Sequence, residues 1–267
     1  MLKLPRTKHI KICDDILKYN ENYCHFLSEI ITTIFYYAEK NNLKKNEIIL
    51  YNSFSKYQDI LSLFCISRPL EKAPPEVEVL TQRADVGFII PFFSRFSAIT
   101  NGQCLRKIIY VVRDENDPNR TITNDLECLN ALIHEFKDYE VVPVRFEHMS
   151  FRSQIDCVKD CKLLVGAHGA GMTNCLFMQP GSCLVEMFPS SFIMYFYRNI
   201  CISKKIQYDY FHGMSIVDPG MTVEEFIEKQ RTNFKQERIN LRHRLRDVNF
   251  SVDVDCLISK CKDILKD

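Results

Sequence analysis

The chain has no tryptophan, no long apolar run and almost no net charge. The last two absences each exclude something. A helix that crosses a bilayer needs about 20 predominantly apolar residues, and none is found, so no transmembrane segment is read. The opening MLKLPRTKHIKICDD lacks an apolar centre and does not read as a signal peptide. Lys and Arg number 35 against 34 Asp and Glu, so no broad basic field favours nucleic acid, and that partner is set aside. The twelve cysteines form no C-x-x-C and no Cys/His pair at zinc spacing. Cys157 and Cys161, four apart, read as small apolar groups on one helix. Lumenal disulfides stay open as a reading, as do the sequons Asn119-Arg-Thr and Asn249-Phe-Ser. There is no G-x-S-x-G elbow, which removes a serine hydrolase. The only D-x-D, Asp253-Val254-Asp255, falls inside the last helical segment, so it reads as a helix start and not as a metal site.

What is present is an ordinary globular composition, 46% hydrophobic and 26% charged over 267 residues, enough for two modest domains. Residues 12–40 read as helical, with Phe26, Leu27, Ile30, Ile31, Ile34 and Phe35 as the apolar stripe. A short strand at 48–51, a helix-like stretch at 56–64, a loop with Pro69, Pro74 and Pro75, and a strand at 86–90 follow. These make a first α/β domain over residues 1–100, with a linker expected at 94–106. Residues 101–267 alternate more cleanly. Strands are predicted at 108–112, 141–146 and 207–211. A helix opens at Asn124 with Glu127 as its capping acid, burying Leu126, Leu129, Leu132, Ile133 and Phe136, and another opens at Ser150. Helices are further expected at 192–200, 223–246 and 252–265. Successive βα units imply a parallel, doubly wound α/β sheet.

The most informative stretch is LLVGAHGAGMTNCLFMQPGSCLVEMFP, from Leu163 to Pro189. An apolar strand ends at Gly166-Ala167, His168-Gly169-Ala170-Gly171 opens a short helix, and a second strand ends in Glu186. The glycines allow a ligand close to the backbone, and a helix N-terminus offers amides and partial positive charge to a phosphate. Glu186 would sit at a strand's carboxyl end, where open α/β sheets place ligand contacts.

This stretch resembles the signature of glycosyltransferase family 61, V-G-x-H-G-A-G-[LM]-T-N-x-[LF]-F-M-x-P-G-[ST]-x-[VL]-[VL]-E-[IM]-F-P, at nearly every fixed position. Asn22-Tyr23-Cys24-His25-Phe26-Leu27-Ser28-Glu29 resembles a second family segment, with Cys24 where an aromatic is usual. The resemblance implies two Rossmann-like domains facing a cleft (the glycosyltransferase B type) and an inverting transfer of GlcNAc or xylose from a UDP-sugar. The acceptor would be an O-linked protein site or a glycan, and the setting the endoplasmic reticulum or Golgi lumen. The family's usual N-terminal anchor is not in this sequence, which leaves a fragment, an incomplete gene model or a cytoplasmic departure as readings. The resemblance assigns donor binding to Arg113, Arg120, Asn124, His168, Gly169, Ala170, Gly171, Thr173, Asn174 and Glu186. Arginines suit a diphosphate, and no metal or other cofactor is expected. The spacing between Arg120 and Asn124 is one residue longer than the family pattern. For the proton transfer, His25 is the candidate base, with Glu29 as its partner or substitute. The competing expectation is a non-catalytic relative that keeps nucleotide affinity.

Overall fold

The structure, a computed structural model, describes residues 7–18, 21–52, 54, 57–62, 64–82, 106–113, 119–218, 220–231 and 235–266. The expected strand at 86–90 and residues 94–105 of the expected linker lie outside them. The architecture is α/β with parallel sheets. The chain divides into two units, Met1–Phe92 and Phe93–Asp267.

The first unit holds a parallel sheet in the order β3-β2-β1-β4, from β1 (Lys8–Ile12), β2 (Ile48–Tyr51), β3 (Ile66–Arg68) and β4 (Glu78–Leu80). Only β2 was legible in the sequence. KHIKI in β1 offers only two apolar residues, Ile10 and Ile12, and β3 and β4 have three residues each, too short for periodicity to declare them. The expected helix from 12 to 40 is interrupted. A short helix at Asp14–Leu17 is followed by a continuous helical run from Tyr23 to Lys40. The run widens to a π-helix over Phe26–Ile31, and the Thr32 hydroxyl bonds to the Ser28 carbonyl at 2.5 Å inside it. Its stripe is buried as expected at Phe26, Leu27, Ile30, Ile31 and Ile34, while Phe35 is half-buried.

The second unit carries a five-stranded parallel sheet in the order β6-β5-β7-β8-β9. The strands are β5 (Lys107–Val111), β6 (Glu140–Val144), β7 (Leu163–Ala167), β8 (Cys183–Phe188) and β9 (Gln207–His212). The chain starts in β5, moves to one side for β6 and returns across β5 to β7, so the winding reverses between β5 and β7. Every residue of β7 and β8 is buried, which explains their unbroken apolar runs. Ile108, Tyr110, Leu163, Val165, Cys183 and Val185 face the helices Asp125–Glu135 and Val254–Lys266. The alternate residues of β8, among them Glu186 and Phe188, take the other face.

The helix Asp125–Glu135 is rotated from expectation. Cys128, Leu132 and Phe136 are buried, whereas Leu126 is 70% and Ile133 50% exposed. The expected helix at 192–200 instead runs Phe196–Lys204, because Ser191 turns the chain with φ 65° and Phe192 is driven into the core. The long charged helix becomes two, Val223–Gln230 and Lys235–Arg246. A small antiparallel pair unseen in the sequence, β10 (Met214–Ser215) and β11 (Phe250–Ser251), ties the chain end back to the sheet. Asp253 caps the last helix, accepting from the Cys256 amide at 3.0 Å, so the D-x-D is a helix start.

Candidate functional site

The carboxyl ends of β5, β7 and β8 lie side by side, with Val111 opposite Gly166 and Gly166 opposite Glu186. A Cβ on Gly166 would stand 2.7 Å from Val111 Cβ, so this neighbour must be glycine for β5 and β7 to pair. His168 extends the β7 ladder by one bond, its amide donating to the Met187 carbonyl at 2.8 Å. Arg113 follows two residues after β5, which puts its side chain beside the β7 loop.

Gly169 has an extended backbone that any residue adopts, so its role is spatial. A Cβ there would lie 2.7 Å from Arg113 Nη1 and 3.9 Å from Arg120 Nη1. Two guanidinium groups thus close on one glycine. Arg120 Nη1 also reaches the His168 carbonyl at 3.4 Å, and its Nε lies 3.4 Å from Asp247 Oδ1. Arg120 adopts φ 61°, uncommon for a residue with a side chain.

The His168 ring is buried and stacks on Phe188 with centroids 5.3 Å apart. Its Nδ1 is 2.6 Å from Glu186 Oε1, and the Tyr208 hydroxyl donates to Glu186 Oε2 at 2.7 Å. Both oxygens of the fully buried carboxylate are therefore engaged. Burial, then the Glu186 charge, pushes the Tyr208 phenol far above its ordinary range, which keeps it a donor. In this structure Glu186 serves His168.

The segment after the loop is a 3-10 helix, Ala170–Phe177, where the sequence led to an ordinary short helix. Asn174 explains part of the change: its amide donates to the Gly171 carbonyl at 3.1 Å and to Gln154 Oε1 at 2.9 Å, competing with backbone pairing. Thr173 and Asn174 are both fully buried, and Thr173 Oγ1 sits 3.4 Å from the Tyr197 hydroxyl. Tyr197 in turn donates to the Gly169 carbonyl at 2.6 Å. Gly171 lies against Phe146, where an added Cβ would stand only 3.1 Å from the ring's Cδ2. Asn124 precedes its helix, but its side chain makes no cap; it clamps the Val252 backbone with bonds of 2.8 and 2.9 Å.

The first unit holds the remaining pair. Asn22 starts the helical run by accepting from the His25 amide at 3.3 Å. His25 Nδ1 is then 2.8 Å from Glu29 Oε1, with the imidazole 42% and the carboxylate 14% exposed. The structure thus brings together His25 with Glu29, and separately Arg113, Arg120, His168, Gly169 and Glu186. Sequence reasoning missed Tyr197, Tyr208 and Asp247. Tyr208 carried one faint signal, its place in an alternating strand, but which strand it would neighbour was not encoded locally. Among the described residues, no group of three or more His, Cys, Asp or Glu side chains stands close enough to hold a metal ion, and no helix is long and apolar enough to cross a membrane.

These features define a doubly wound α/β protein that gathers arginines and a braced histidine at the carboxyl ends of its strands, beside the point where the winding reverses. The chain matches glycosyltransferase 61 over residues 23–185 and belongs to that family. It is similar to protein O-linked-mannose beta-1,4-N-acetylglucosaminyltransferase 2 of Tetraodon nigroviridis, 29% identical over 43% of this chain and 20% of the relative. The same-named protein of Takifugu rubripes is 36% identical over 30% of this chain and 13% of that protein. That of Danio rerio is 39% identical over 27% and 12% respectively. The chain spans a fifth or less of the length of these curated relatives.

Proposed function

We propose that the protein transfers a sugar, GlcNAc before xylose, from a UDP-sugar to an O-linked glycan or protein acceptor, with inversion and without a metal. The observation that carries this reading is the convergence of Arg113 and Arg120 on Gly169, beside the braced His168. Two cations at a glycine in a sheet's switch point suit a diphosphate, which arginine binds through two donors at once. The names of the similar relatives point to GlcNAc as donor sugar and O-linked mannose as acceptor. An O-linked mannose acceptor would fit the lumen of the secretory pathway.

In this reading the two units form the two Rossmann-like halves of a glycosyltransferase B enzyme. Arg113, Arg120 and the first amides of the 3-10 helix take up the charge that grows on the leaving diphosphate. Glu186 and Tyr208 hold His168 against it. Asn124, Thr173 and Asn174 shape the surrounding loops. The acceptor hydroxyl oxygen attacks the anomeric carbon, the bond from that carbon to the phosphate oxygen breaks, and UDP leaves with the electron pair. The hydroxyl proton passes to His25, which Glu29 orients.

Incubating the protein with UDP-GlcNAc and an O-mannosyl peptide is the test. Release of UDP with formation of a β-linked product is expected, and His25→Ala should abolish turnover while leaving UDP affinity intact. UDP binding without product from any donor would instead make the chain a nucleotide-sugar-binding relative.

A further inference from the structure

The stretch from His243 to Val252 lies beyond the residues that match the family, yet it is joined to the Arg120 loop at every level. Backbone bonds run from the Phe250 amide to the Thr121 carbonyl (3.2 Å) and from the Thr123 amide to the Phe250 carbonyl (2.9 Å). The Asn249 side chain accepts from the Thr121 amide at 2.9 Å, and Asn124 clamps Val252 from the other side. These bonds fix the residues that follow Arg120, whose own backbone sits in the left-handed region at φ 61°.

Charge completes the arrangement. Asp247 lies 3.4 Å from Arg120 Nε and accepts from Arg246 Nε and Nη2 at 2.7 and 2.8 Å, with His243 Nδ1 3.0 Å away. Burial alone would raise the Asp247 pKa, but bonds from Arg246 and His243 and the charges of Arg246 and Arg120 outweigh it, and the carboxyl is held below its ordinary value. Among the described residues, the Asp247 carboxylate faces both Arg120 and Arg246, and Arg113 approaches Gly169 nearby. Asp247 takes one edge of the Arg120 guanidinium, while Nη1 is directed to the His168 carbonyl and the Gly169 position.

We infer that Asp247 is a positioning residue for Arg120, and that the 243–252 stretch is a structural part of the site for a nucleoside diphosphate. The inference rests on the proposed nucleotide reading. An ion pair that merely stiffens a loop would look similar in its contacts, so the test must couple Asp247 to the ligand through Arg120.

Calorimetric titration of the full chain with UDP supplies that test, using wild type, Asp247→Asn, Arg120→Ala and the double variant. Asp247→Asn is expected to weaken UDP binding about tenfold, the low end of what a close ion pair contributes. In the Arg120→Ala background the same change should cost no more than about twofold, because the residue it orients is gone. Equal losses in both backgrounds, or unchanged affinity in Asp247→Asn, overturn the inference while the nucleotide reading stands. A wild type that binds no UDP overturns the reading, and the inference with it. Should Asp247→Asn melt early, Asn249→Ala carries the same cycle without removing a charge, and Asp263→Asn on the last helix serves as the surface control.

Discussion

Glu186 shows how far a side chain's neighbours decide its task. An acid at a strand's carboxyl end is expected to meet a ligand, and in this structure Tyr208 and His168 engage both its oxygens. The two glycines nearby are expected to separate stability from function. Gly166→Ala forces a methyl to 2.7 Å from the Cβ of Val111, an atom the backbone holds in place, and should cost about 1–3 kcal/mol in chemical denaturation. Gly169→Ala meets only the mobile tip of Arg113 at the same 2.7 Å. Its melting temperature should stay near wild type while UDP affinity falls, as calorimetry would register. Lys204 offers a pH prediction. It is 2% exposed and donates to the Leu176 carbonyl, and burial lowers its pKa from 10.5 to about 8. Below pH 8 both folded and unfolded chains carry this proton, and the folded state bears the full cost of burying it. Between pH 8 and 10.5 only the unfolded chain binds the proton, so that cost is relieved as pH rises. Measured against Lys204→Met, wild-type stability should therefore gain up to about 3 kcal/mol across that window. A pH-independent difference between the two proteins would refute it.

Among the elements, the helix Asp125–Glu135 is where reading and structure part most clearly. Its apolar residues support more than one stripe, and the sheet selected the one through Cys128 and Leu132, leaving Leu126 and Ile133 in solvent. Periodicity states that a helix has an apolar side, but with leucine and isoleucine on both sides it does not choose between them. Leu132→Ala should therefore destabilise the protein by about 2–5 kcal/mol, whereas Leu126→Ala should stay within about 0.5 kcal/mol; urea titration distinguishes them. In the 3-10 segment after Gly169 and at the end of the π-helix at Phe26–Ile31, a side-chain group bonds to a backbone carbonyl one turn earlier. The π-helix also contains Glu29, the partner of His25.

For the molecule as a whole, Cys13, Cys65, Cys128, Cys157, Cys175, Cys201, Cys256 and Cys261 are free thiols. The unfolded chain should accordingly titrate with at least these eight thiols; a smaller number would reveal disulfides among them. What local sequence determined is considerable: β2 and β5 to β9, the helix starts at Ser150 and Asp253, and the glycine-rich loop that opens at His168. Such features are written in neighbouring residues, as unbroken apolar runs, caps and glycines. Only the tertiary structure decided the order of the strands, the buried side of each helix and the company that His168 and Arg120 keep. Tyr208 stands 22 residues from Glu186, and Asn249 stands 128 from Thr121. No local period specifies partners across such distances; chain winding and burial bring them together after the elements themselves have formed.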